Sequence, residues 1–62
     1  MPTLHVQLLE GRSAEQKRKF IDAVTKATCE SLCVEPGTVD VVLSEIRPEN
    51  WAKGGQLLSG AI

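Results

Sequence analysis

Apolar and polar residues alternate along Thr3-Leu4-His5-Val6-Gln7-Leu8-Leu9 up to the last two, placing Leu4, Val6 and Leu8 on one side of an extended chain. A period of two with one apolar side predicts a strand with a single buried face. Glu10-Gly11-Arg12 interrupts the alternation, and Gly11 permits a turn. The period then lengthens. From Ser13 to Leu32 there is no Gly or Pro, and Phe20, Ile21, Val24, Ala27, Thr28 and Leu32 recur at three- and four-residue steps. That spacing predicts an amphipathic helix of about five turns. Ser13 stands at its N-cap with Gln16 three residues on, the spacing of a capping box, and Glu15 complements the positive helix end. Pro36-Gly37 closes the connection, and Thr38–Ile46, rich in β-branched residues, predicts a second strand. Its apolar residues lie on both faces: Val39, Val41 and Leu43 on one, Val42 and Ile46 on the other. Beyond Arg47-Pro48 come Trp51, then Gly54-Gly55, a hairpin signal before a short segment containing Leu57 and Leu58.

Strand, helix and strand in that order predict an α/β fold: one β-α-β unit with parallel strands, a right-handed crossover and a short C-terminal hairpin. Residues 1–62 form a single domain, without repeat or linker. One helix covers one face of a two-stranded sheet, so the other face and both edges need another cover, and a second copy of the chain is the simplest. Size points the same way. A chain of 62 residues buries only about 60% of its unfolded surface. Two cysteines and one histidine are too few for a disulfide framework or a four-ligand zinc site, which leaves oligomerisation as the remedy.

Charge and composition remove several partners. Seven basic against eight acidic residues, with one Phe, one Trp and no Tyr, give neither the electrostatic footprint nor the stacking surface of a nucleic-acid binder. No apolar run approaches a membrane span. Met1-Pro2-Thr3-Leu4-His5 lacks the basic n-region of a signal peptide, so the expectation is a cytoplasmic protein with reduced thiols.

Few residues remain for chemistry. His5, the only histidine, sits inside a strand, where a structural role is the more common one. Cys29 and Cys33, four apart on the helix, share a side but have poor disulfide spacing, and read as buried or interface thiols. Pro2 is less ordinary. Removal of the initiator methionine, normal before a small residue, gives it a free secondary amine fixed in a ring. A low-dielectric pocket with a nearby cation would disfavour the protonated form and bring the amine toward neutrality. By itself, proline at position 2 also merely begins a strand. Arg12 follows the first strand and can reach a pocket at the sheet end, where a guanidinium binds a carboxylate bidentately; it is equally a surface arginine.

Together, Pro2, the run Leu9-Glu10-Gly11-Arg12-Ser13-Ala14-Glu15-Gln16-Lys17, the Val39–Ile46 strand, Trp51 and Gly54-Gly55 resemble the 4-oxalocrotonate tautomerase family over nearly the whole chain. The resemblance implies a homohexamer, a trimer of dimers, with the tautomerase fold. It implies interconversion of enol and keto, or unconjugated and conjugated, forms of unsaturated 2-oxo or 2-hydroxy acids, without metal or cofactor. Pro2 would be the acid–base, and Arg12 of a neighbouring subunit would bind the substrate's distal carboxylate. Trp51 would stand in for a phenylalanine that keeps the site apolar. One position departs. Asp40 occupies a place where the family carries a second arginine, an anion that would repel a carboxylate and raise the amine's pKa. Arg47, at the end of the same strand, is a candidate substitute cation. Two other functions stay open: a hydratase or dehalogenase of unsaturated acids, with Asp40 orienting water, or a non-catalytic subunit of a mixed oligomer.

Overall fold

The computed structural model describes residues 2–60. Strand β1 (Thr3–Leu9) leads to helix α1 (Ala14–Leu32), and strand β2 (Asp40–Ile46) returns beside β1, parallel to it. A hairpin of two-residue strands, β3 (Ala52–Lys53) and β4 (Gln56–Leu57), follows. Three-residue 3-10 turns occupy Pro36–Thr38, Pro48–Asn50 and Leu58–Gly60. This is the β-α-β unit with parallel strands and terminal hairpin that the periodicities predict.

The helix begins where its capping chemistry dictates. The Ser13 hydroxyl accepts the Gln16 amide at 3.2 Å, and the Gln16 side-chain oxygen accepts the Ser13 amide at 3.1 Å, satisfying two donors of the first turn. It ends with Cys33 in the left-handed conformation (φ 58°), its N–H donating to the Cys29 carbonyl. Thr28, the one buried residue among those described, satisfies its hydroxyl on the Val24 carbonyl at 2.7 Å. Leu32, expected on the buried stripe, is 58% exposed. Nineteen helical residues span roughly 28 Å against roughly 23 Å for a seven-residue strand, so the helix is longer than the sheet it packs on. Ala27 is exposed as well, and so is Cys33, whereas Cys29 is half-buried; both thiols are free.

Strand β2 starts at Asp40, two residues later than its β-branched run predicts. The reason is local. Thr38 and Val39 donate their amides to Glu35 and Pro36 at 3.0 and 3.1 Å, forming a turn in place of ladder bonds. In the hairpin, Gly54 and Gly55 have φ of +60° and +83°, the pair of positive values that a tight two-residue connection demands.

Register assigns the faces. Thr3 pairs with Asp40, and each later residue of β1 with its successor on β2 through Leu9 with Ile46. Leu4, Val6 and Leu8 therefore share a face with Val41, Leu43 and Glu45, and α1 lies on it. Lys17 of the helix reaches Glu45 of β2 at 2.9 Å, the one ion pair that joins two elements of regular structure among the described residues. The other face, with His5, Gln7, Leu9, Val42, Ser44 and Ile46, has no helix over it, and Val42 is 48% exposed. Gln7 and Ile46 of that face border a hollow near the 3-10 turn before β3.

No hydrophobic residue among those described is buried. The chain exposes 4814 Å², where a compact monomer of its mass exposes roughly 3,900 Å². Its radius of gyration is 14.6 Å, against roughly 10.6 Å for a compact domain of this length. A second copy, the cover expected from the sequence, would supply apolar burial that one chain lacks. The thermal midpoint should accordingly rise with protein concentration, by several degrees over a hundredfold range. A midpoint independent of concentration in scanning calorimetry would mean that one chain is stable alone.

Candidate active site

Pro2 and Asp40 are neighbours. The Asp40 amide donates to the Pro2 carbonyl at 3.0 Å, one step beyond the Thr3–Asp40 pair that opens the ladder. Pro2 is half-buried and Asp40 exposed.

Arg12 lies at the other end. Between it and Pro2 runs the whole of β1, and an extended chain from Pro2 to Glu10 covers roughly 26 Å. The Arg12 guanidinium bends back so that Nη1 donates to the Leu9 carbonyl at 3.1 Å. It borders a hollow of about 260 Å³ between α1 and the sheet, lined also by Val6, Leu8, Gln16, Lys17, Phe20 and Leu43. Among the described residues the ion pairs are Lys17–Glu45, Arg18–Glu15, Lys26–Asp22 and Arg47–Glu49. Arg12 has no carboxylate partner there. A guanidinium with its fork largely unpaired at the mouth of an apolar hollow is equipped to take a carboxylate.

Trp51 also lies at the Arg12 end but toward the uncovered face. With Gln7, Ile46, Asn50 and Ala52 it borders a second hollow of about 300 Å³. The carbonyl of Trp51 accepts the Leu58 amide at 2.8 Å, which ties the far side of the hairpin to it. Arg47 pairs with Glu49 at 3.6 Å at the far end of β2 from Asp40, so within one chain it does not approach Pro2.

A single chain thus brings together Pro2 and Asp40, and separately gathers Arg12, Trp51 and Arg47 at the opposite end. Gln7, Ile46 and Asn50, which surround Trp51, escaped the sequence reading, although the period of two already placed Gln7 and Ile46 off the Leu4–Leu8 face. His5 is accounted for: Nε2 and the Ser44 hydroxyl lie 2.7 Å apart, a hydrogen bond between the strands on the uncovered face. Among the described residues there is no group of three or more His, Cys, Asp or Glu placed to hold a metal ion. No described helix is long and apolar enough to cross a membrane.

A small β-α-β unit with no buried apolar core among the described residues, Pro2 at one sheet end and Arg12 at the other belongs to the α/β class, with its chemically equipped residues at the sheet ends. The comparisons narrow the class. The family described as tautomerase enzyme matches residues 2–61. A probable tautomerase of Halalkalibacterium halodurans is 41% identical over 59 residues, covering 95% of this chain and 97% of that protein. A 2-hydroxymuconate tautomerase of Bacillus subtilis is 37% identical over 59 residues, covering 95% of each. The crystal structure of a 4-oxalocrotonate tautomerase homologue superposes with a TM-score of 0.90 at 41% identity, covering 95% of this chain and 94% of that one. The chain belongs to the tautomerase family, with the 4-oxalocrotonate tautomerase fold, and its activity class is that of an isomerase.

Trp51 is the sole tryptophan and half-buried in one chain. Its emission should lie further to the blue in the assembled protein and shift red on dilution through the dissociation range, measured alongside light scattering. Emission that stays constant while mass falls would place the indole away from any contact between copies.

Proposed function

We propose that this chain is a subunit of a homohexameric, cofactor-independent tautomerase of unsaturated 2-hydroxy and 2-oxo acids, with the Pro2 amine as general acid and base. The observation that carries this reading is the separation of Pro2 from Arg12 by the length of β1. Two copies laid antiparallel about a two-fold axis bring the Pro2 end of one against the Arg12 and Trp51 end of the other, and the same contact covers sheet surface left open in each. Closed symmetry makes that arrangement self-complementary. A trimer of such dimers covers what remains. Two free cysteines accord with a reducing, cytoplasmic setting.

The chemistry needs Pro2 to be free of Met1 and unprotonated. Its nitrogen takes the enol proton, the O–H pair becomes the carbonyl, and electrons move along the conjugated chain. The nitrogen then returns the proton to a carbon, so that one O–H bond is exchanged for one C–H bond. Arg12 of a second copy holds the distal carboxylate and stabilises charge as it migrates toward it. Trp51 excludes water from the amine and keeps the surroundings apolar.

Intact mass of the native protein should show the loss of one methionine. Pro2→Ala should lower kcat/KM on dienol acids, 2-hydroxymuconate among them, by about a hundredfold or more with assembly intact. Equal turnover by this variant would remove the amine from the mechanism.

The divided site has its own test. Pro2→Ala and Arg12→Ala subunits, each inactive alone, should recover activity when unfolded and refolded together, since roughly a quarter of the sites then join an intact Pro2 to an intact Arg12. No recovery in confirmed mixed assemblies would place both residues of a site on one chain.

A further inference from the structure

The two hollows at the Arg12 end differ in kind. The one between α1 and the sheet is bordered by two cations, Arg12 and Lys17. The one on the uncovered face is bordered by Gln7, Ile46, Asn50, Trp51 and Ala52, none of which carries a charge. Arg47 and Glu49, in the turn beside it, do not border it and pair with each other at 3.6 Å. Apart from the indole N–H, its side-chain hydrogen-bonding groups are therefore two carboxamides. Neither has a hydrogen-bond partner among the described residues. Gln16, which borders the other hollow, is by contrast held in the helix cap.

Both carboxamides stand on backbone that is tied down. Gln7 lies within β1 in register with Ser44, and the hydrogen bond between Ser44 and His5 joins the strands beside it. The Asn50 amide donates to the Arg47 carbonyl at 2.8 Å, and the next amide, that of Trp51, donates to Pro48 at 3.3 Å. The Trp51 carbonyl takes the Leu58 amide at 2.8 Å. Two neutral donors on fixed backbone, beside an indole, suit a ligand oxygen more than a ligand charge.

The reaction proposed above creates such an oxygen. When Pro2 takes the enol proton, negative charge gathers on the enol oxygen, while Arg12 is engaged at the distal carboxylate. In a site partly cleared of water that charge is costly unless donors meet it. A carboxamide N–H binds a neutral hydroxyl weakly and an oxyanion strongly, so its effect falls on the transition state more than on the bound substrate. The antiparallel pairing that carries Trp51 to the Pro2 end of another copy carries Gln7 and Asn50 with it.

We propose that Gln7 and Asn50 form a neutral oxyanion cradle, whose side-chain N–H groups hold the C2 oxygen of the substrate while Pro2 of another copy moves the proton. The carboxamides make and break no covalent bond. The O–H electron pair passes into the carbonyl, and the proton travels by the Pro2 nitrogen to carbon. This inference rests on the roles given above to Pro2 and Trp51, and it specifies what the site reads at its reacting end: an enol or carbonyl oxygen.

The test pairs a ligand change with a residue change. 2-Oxoadipate and adipate differ by the C2 oxygen, and both are measured as competitive inhibitors of 2-hydroxymuconate turnover. The wild-type assembly should prefer 2-oxoadipate by about tenfold. Gln7→Met with Asn50→Leu, close in shape but without donors, should bring the two acids within about twofold and lower kcat about a hundredfold, with KM changed far less. Asn50→Asp alone, nearly isosteric and at an exposed position, should also erase the preference and lower kcat by about tenfold or more, which covers a double variant that fails to assemble. An assembled variant that keeps the wild-type ratio, or that raises KM with kcat unchanged, would overturn the cradle. Pro2→Ala separates this role from the mechanism beneath it. Calorimetric binding to that inactive variant should retain the preference for 2-oxoadipate, because the amides and not the amine create it. Loss of the preference there overturns the cradle alone, whereas full turnover by Pro2→Ala removes the catalytic reading and the cradle with it.

Discussion

One helix cannot enclose a two-stranded sheet, and nearly everything else about this molecule follows from that. Helix α1 covers the Leu4, Val6, Leu8 face, yet no hydrophobic side chain in the described chain reaches full burial. A single chain therefore supplies little of the apolar free energy that offsets chain entropy, which is what the proposed assembly would provide. Local devices are present and well formed: the Ser13–Gln16 box, the Thr28 back-bond and the Lys17–Glu45 bridge. Each is worth on the order of 1 kcal/mol or less, enough to shape a subunit but not to replace a core.

The same constraint divides the proposed chemistry. A strand is stiff, and seven extended residues hold Pro2 and Arg12 apart as a spacer of fixed length would. In the function proposed, proton transfer and carboxylate binding fall to different copies, which would make assembly and activity a single property.

Much of this was legible in the sequence, because periodicity responds to burial and burial decided the elements. Alternation from Thr3 gave β1 its bounds, and the capping pair and absence of breakers gave α1 both of its ends. The misjudged positions have one origin: a pattern reports which residues are apolar, not how far the neighbouring element extends. Leu32 has helical spacing but is exposed in the last turn of a helix longer than the sheet, and Val39 has strand chemistry but its amide is taken by Pro36. Pro2 and Arg12 were recognisable as residue types. Their distance was implicit in the strand length between them, whereas the company Trp51 keeps depended on how the turn at Pro48–Asn50 redirects the chain.

The hairpin carries a different consequence. Two strands of two residues joined by Gly54 and Gly55 form too few contacts to hold a position independently, and Leu57 at its base is 48% exposed. In the assembly proposed, this arm would take its position from the surface a neighbouring subunit presents, and drift in these few residues would change which chains fit together while leaving the β-α-β body untouched.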